Sequence, residues 1–220
     1  MSPRGFPGRK SRSSTDMKAF AERAESLIRR GYGLIFAFVF VCYDGAAVLP
    51  AVLMHEGHRS LAKLIYRVFR FLCHQLPYRC FFLYGPRAYY PLEGADSLAD
   101  AAGEALETVR DLRDFIGTEA MGWKTAVCQR CLAIYLFMAL FCLIFFLSKN
   151  RIKAVGTIPA LIFGALPMAL DGCTQAVGKL IPALARESTP LLRCLTGALF
   201  GFFLCWYLIP RIEESLLNGE

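Results

Sequence analysis

The sequence predicts an all-α polytopic membrane protein, with four transmembrane helices and amphipathic helices attached on the outer side. Three observations lead there. Hydrophobic residues make up 55% of the 220-residue chain and charged residues 20%, with 18 phenylalanines, a balance too apolar for an ordinary soluble domain of this length. Four apolar segments approach the roughly 20 residues that cross a hydrocarbon core about 30 Å thick. The positive charge is also concentrated. Eight Lys and Arg against three acids in the first thirty residues supply +5 of the formal net +7, so the rest of the chain is nearly balanced and no nucleic-acid-binding domain is predicted.

Residues 1–30, opening "MSPRGFPGRKSRSSTDMK", are rich in Ser, Arg, Gly and Pro. Such a stretch buries too little apolar surface to order itself and reads as a basic cytoplasmic arm. The membrane domain is 31–210. Its first span, Tyr32 to Met54, is interrupted by Asp44; the thirty residues before it exceed the brief basic start of a cleaved signal, so it reads as a retained helix.

The segment 55–125 follows. In "HRSLAKLIYRVFRFLCHQ", Arg59, Lys63, Arg67 and Arg70 share one helical face, and Leu61, Ile65, Phe69 and Cys73 another. This basic amphipathic helix lies either on the outer membrane surface or against the bundle. Pro77 ends it near His74 or Gln75. A second outer helix opens at Ser97, with Asp100 three residues on in a capping-box pattern. Its apolar stripe is Leu98, Ala102, Leu106, Val109 and Phe115; its solvated acidic side is Asp100, Glu104, Glu107, Asp111 and Asp114; Gly117 stops it.

The remaining spans are Ala126 to Leu147, Val155 to Leu170 and Pro190 to Ile209, the third carrying Pro159 and Pro167. Prolines are tolerated in bundle interiors where neighbours satisfy the freed carbonyls. The loop "SKNRIK" holds Lys149, Arg151 and Lys153 with no acid. By the positive-inside tendency, this loop, the basic arm and the tail 211–220 face the cytoplasm, and the chain is integral to the plasma membrane with both termini inside. Segment 55–125 and the link from Asp171 to Thr189 then lie outside.

That topology brings "LCHQLPYRC" (72–80) and "CQRC" (128–131) to one side. Cys128 and Cys131 lie three apart on one turn, with Tyr135 one turn on, so their sulfurs form half a zinc site. Cys73 and His74 complete a Cys3His set if the helix has unwound there, since adjacent helical residues diverge by about 100°; Cys80 is the reserve ligand. Zinc is the implied metal. A disulfide or redox pair, or inert thiols, are the alternatives. Cys42, Cys142 and Cys205, inside apolar spans, read as core. Asp171, in "DGCTQ", sits at the edge of a short span with Gln175 one turn on, and Arg193 is the counter-charge; ionised groups at that depth have partners and often functions. Asp44 is either a third acidic contributor or the point where the first helix leaves the bilayer.

"CHQLPYRCFFLYG", "CQRCLAIY", "LDGCTQ" and "LRCLTGALFG", in this order, resemble the motifs of a family of small bacterial and archaeal integral-membrane proteins. That family is catalogued as a domain of unknown function, number two thousand and eighty-five. The resemblance implies that Cys73, His74, Gln75, Pro77, Arg79, Cys128, Arg130, Cys131, Tyr135, Asp171, Gln175, Arg193 and Gly197 hold its signature positions. It implies no activity. Cys80, Leu132, Ala133 and the acidic helix depart from the pattern, and Cys173 and Cys194 are additional thiols.

Three functions remain. In the first, a zinc ion on Cys73, Cys128, Cys131 and His74 organises the outer helix ends. Asp171, Gln175 and Arg193 then carry out chemistry on a lipid-borne or anionic substrate, and membrane lipids are the surrounding partner. The second is a quinone-linked thiol–disulfide oxidoreductase, since four helices with a C-x-x-C resemble the disulfide-generating quinone reductases of bacterial membranes; Arg130 would lower the thiol pKa. The third is a non-enzymatic membrane scaffold or assembly factor.

Overall fold

The computed structural model describes residues 12–93, 97–103, 106, 108–180 and 187–218. In chain order, α1 (Arg12–His55) carries the first apolar span, Gly31–His55. It reaches back into the arm expected to be unordered, because "DMKAFAERAE" strings together strong helix formers. The part of the arm before Arg12 lies outside the described residues.

Then come α2 (Arg59–Phe69), a 3-10 turn at Pro77–Arg79, β1 (Cys80–Leu83), α3 (Leu98–Ala102), α4 (Val109–Asp114), β2 (Gly117–Thr118) and β3 (Gly122–Cys128). The second span is α5 (Gln129–Leu147). The third joins α6 (Thr157–Pro159), a π-helical stretch (Ala160–Ala165) and α7 (Leu166–Leu180), and α8 (Pro190–Asn218) is the fourth. The π turn precedes Pro167. Leu166 N–H bonds the Leu161 carbonyl, five residues back, a widening that accommodates a ring unable to complete the α register.

Four helices are long and apolar enough to cross a membrane. Leu34, Ile35, Phe38 and Val41 on α1, and Ile158, Leu161 and Phe163 on the third span, are exposed; an apolar belt of that extent is stable against hydrocarbon, not water. Inside, α5 packs on α1 and α8, and Phe141, Cys142 and Phe145 meet Tyr32, Ala37, Cys205 and Ile209. Helices α5 and α8 touch backbone to backbone. A Cβ on Gly197 would lie 2.6 Å from the Arg130 carbonyl oxygen, and one on Gly201 2.2 Å from that of Ile134, the small-residue pattern of close helix pairs in lipid.

Segment 55–125 is not purely helical. A three-stranded antiparallel sheet, order β1-β3-β2, pairs Cys80 with Cys128 and Thr118 with Gly122. Residues 126–128, expected inside the second span, are the end of β3, because Ala126 and Val127 are wholly buried in a core with Met54, Tyr66, Phe69 and Trp123. The expected single helix after Ser97 is two. Gly103 breaks it at φ +69, and Thr108 opens a second capping box with Asp111. Glu104 and Glu107 lie outside the described residues.

Helix α2 has three sides. Ala62, Tyr66 and Phe69 are buried, Arg59, Lys63 and Arg67 are exposed, and Leu61, Leu64 and Val68 form an exposed apolar stripe that Phe71 continues in the following turn. Arg70, read as a surface cation, instead pairs with Asp114 and donates to the Arg113 carbonyl, tying α2 to α4.

Candidate metal centre and adjoining polar cluster

The inner face of α2 ends in a turn in which Cys73 N–H bonds the Phe69 carbonyl at 2.9 Å. Gln75 then adopts φ +55 and reverses the chain. Its side chain is fully buried, with Nε2 donating to the Tyr66 carbonyl at 2.7 Å. Lys124 Nζ, also fully buried, grips the turn by donating to the Gln75 carbonyl at 2.7 Å and that of Arg113 at 3.1 Å. Burial pushes the Lys124 ammonium down to about 8. Tyr66 hydroxyl donates to the Lys124 carbonyl.

This turn delivers Cys73 to the junction of β3 and α5. Cys128 N–H reaches Cys73 Sγ at 3.3 Å, and the sulfurs of Cys128 and Cys131 are 3.5 Å apart. One ligand atom from each of the three cysteines lies within 4.8 Å of the others. A tetrahedral zinc with Zn–S about 2.3 Å spaces its sulfurs about 3.8 Å apart, so the trio fits. The Cys128 and Cys131 thiols, and then the backbone N–H groups of Gln75 and Cys128, hold the Cys73 thiol far below its ordinary value, against the burial that pushes it up. The start of α5 adds the positive end of a helix dipole, which favours thiolates.

His74 is not brought to the sulfurs. It is exposed, since its neighbour Cys73 points inward from the same turn. Cys80, the reserve ligand, is buried at 0% exposure outside the trio, and burial pushes its thiol up.

Four consecutive residues, Cys128 to Cys131, serve three different contacts at the start of α5. Cys128 and Cys131 serve the sulfur cluster. Gln129 donates Nε2 to the Cys80 carbonyl at 3.2 Å, and its Oε1 accepts from Arg193 Nη1 at 3.3 Å. Arg130 pairs with Asp171 on α7. The expected Arg193 partnership with Asp171 is therefore replaced: Arg130 at the start of α5 reaches the carboxylate, while Arg193 is held by the Tyr78 carbonyl, Gln129 and Glu187. Arg130 is correspondingly turned from the thiols it was expected to activate. Gln175 Nε2 donates to Asp171 Oδ2 at 3.1 Å, as their one-turn spacing anticipates. Arg193, 3% exposed, donates to the Tyr78 carbonyl at 3.0 Å and to Glu187 at 2.8 Å. Glu187 also accepts from Arg79. No hydrogen bond joins Asp44 to this cluster among the described residues. Sequence reasoning missed Lys124, Gln129 and Glu187. The first two sit in an apolar run whose local pattern signals burial, which is the cue that their polar groups need partners.

Fold and site define an integral membrane protein with a cysteine cluster and a buried ionic network at one end of its bundle. Residues 119–207 match the family described as Predicted membrane protein (DUF2085), the family the motifs resemble. The matched segment holds Cys128, Cys131, Asp171, Gln175 and Arg193; Cys73 precedes it. An uncharacterised protein of Methanocaldococcus jannaschii is 29% identical over 191 residues, covering 84% of this chain and 95% of that protein. No solved structure matches.

Proposed function

We propose that the protein binds one zinc ion through Cys73, Cys128 and Cys131, with the fourth position taken by water or an incoming ligand atom, and that this centre braces an anion-handling site at the extracytoplasmic face. The observation that carries the reading is the convergence of three sulfurs from segments over fifty residues apart, with backbone N–H groups directed at Cys73. Bound there, zinc would neutralise thiolate charge and act as a Lewis acid at its open position.

The chain's own residues do the rest. Gln129, next to Cys128 in the chain, holds the Cys80 carbonyl and Arg193, so a metal that fixes Cys128 and Cys131 also fixes the residue that positions the guanidinium. Asp171, held by Arg130 and Gln175, is the candidate base, and Arg193 the group that holds an anionic or lipid-borne substrate. The basic loop 148–153 and the positive-inside tendency favour cytoplasmic termini in the plasma membrane. By the same boundaries, 1–30 is a cytoplasmic arm, 31–210 the membrane domain and 211–220 a cytoplasmic tail.

The test is metal content of detergent-purified protein, with thiol alkylation before and after chelation. One zinc per chain, with Cys73, Cys128 and Cys131 reactive only after chelation, is expected. The 3.5 Å sulfur separation also favours a second reading, a thiol–disulfide oxidoreductase. Metal-free protein with a reducible Cys128–Cys131 bond would decide for it, and metal-free protein with three free thiols would overturn both.

A further inference from the structure

Two guanidiniums converge on one carboxylate beside the sulfur cluster. Glu187 accepts from Arg79 Nη2 at 2.8 and 3.1 Å and from Arg193 Nη2 at 2.8 Å. The three differ in depth: the side chains of Arg193, Arg79 and Glu187 are 4%, 22% and 36% exposed. The deepest is fixed by the Tyr78 carbonyl and Gln129, yet its buried Nε has no partner among the described residues. A cavity of about 150 Å³ opens there, lined in part by Tyr78, Tyr89, Ser188, Thr189 and Arg193. The first turn of α8 borders it, with Thr189 Oγ1 accepting the Leu192 N–H at 3.3 Å.

We propose that Arg79, Arg193 and the N-terminus of α8 form a binding site for a phosphate group, and that Glu187 occupies it as an intramolecular stand-in which phosphate displaces. The proposal rests on the anion-handling reading above and names the group the site takes. Two guanidinium forks and a helix N-terminus are the recurrent elements of phosphate recognition. A carboxylate supplies two oxygens and leaves Arg193 Nε unanswered; a tetrahedral phosphate brings further acceptors. The most exposed member of the trio is the anion, the one that must leave. Because Arg193 stands in the first turn of the span Pro190–Ser215, both a lipid phosphate headgroup and free phosphate can reach it.

The experiment compares wild type, Glu187→Gln and Arg79→Gln in detergent, titrated calorimetrically with inorganic phosphate and separately with nanodiscs containing phosphatidate, at constant ionic strength against chloride. Removing the internal competitor is expected to tighten phosphate binding about tenfold or more, because the competent site is no longer occupied; Arg79→Gln is expected to weaken it about tenfold. Preference for phosphatidate nanodiscs over phosphatidylcholine nanodiscs identifies a lipid headgroup, and response to inorganic phosphate alone identifies a soluble ligand. Should Glu187→Gln prove too unstable to purify, thermal unfolding of wild type and Arg79→Gln decides: phosphate raises the wild-type midpoint above the chloride control and not that of Arg79→Gln. Equal binding by wild type and Glu187→Gln, or no response to either phosphate source, overturns the proposal. Zinc is measured on the same samples. Full zinc without phosphate binding defeats this inference alone, and phosphate binding without zinc defeats the metal reading alone.

Discussion

Substituting Gly201 by alanine forces a measurable choice on the α5–α8 pair. The added Cβ would sit 2.2 Å from the Ile134 carbonyl oxygen and 2.9 Å from its carbon, backbone atoms with no rotamer to swing away. Ordinary contact begins near 3.4 Å, so the helices must part by about 1.2 Å (3.4 − 2.2) at that level. Such overpacking costs about 1–3 kcal/mol. The displacement reaches the site, because α8 carries Arg193 and α5 carries Gln129, and a hydrogen bond already 3.3 Å long does not survive an ångström of separation. The assay is thermal unfolding in detergent, expected to fall by several degrees for a chain of this size, together with zinc content. Gly45→Ala is the control: it lies on α1 with nothing within 4 Å of the built Cβ, so a better helix former is expected to leave stability unchanged or raise it by up to about 1 kcal/mol. Wild-type stability in Gly201→Ala, or equal losses in both variants, would refute backbone contact as the basis of this packing.

The Arg130–Asp171 pair is 18% and 3% exposed; Asp171→Leu is expected to cost about 3–5 kcal/mol by stranding a cation, and the double change Arg130→Met, Asp171→Leu to recover most of it, as chemical unfolding would measure. Lys124 has a folded pKa of about 8 against 10.5 unfolded. Between those values the unfolded chain holds the extra proton, so stability should rise with pH across that window by up to about 3 kcal/mol relative to Lys124→Met; a parallel pH profile for the two proteins would remove this account. Spin labels at Val68 on α2 and at Phe71 in the turn that follows, both exposed and apolar, are expected to collide with dissolved oxygen far more than with a polar nickel chelate, and a label at Glu119 to do the reverse; similar accessibility at all three sites would mean the stripe faces water.

The four spans were legible because hydrocarbon thickness and helical rise together set the length of apolar sequence needed, whatever the neighbours. The C-x-x-C pair was legible from its short spacing, although Cys128 is the extended cap at the end of β3 and only Cys131 lies within α5. Gln175 under Asp171 follows helical periodicity. Ala126 to Cys128 were misread because a short apolar run is compatible with strand or helix, and pairing with β1 decided it.

Composition and periodicity thus determined by themselves that this chain carries four membrane-spanning helices and which two thiols stand close together at the start of the second. Tertiary structure alone decided the partners. It turned His74 outward and Cys73 inward, gave Asp171 to Arg130 and Arg193 to Glu187, and buried Lys124 beneath the cysteine turn. The physical reason is one of range. Bilayer crossing and helical facing depend on residues a few positions apart, whereas the partner of a buried charge depends on which distant segment arrives nearest once the helices have packed.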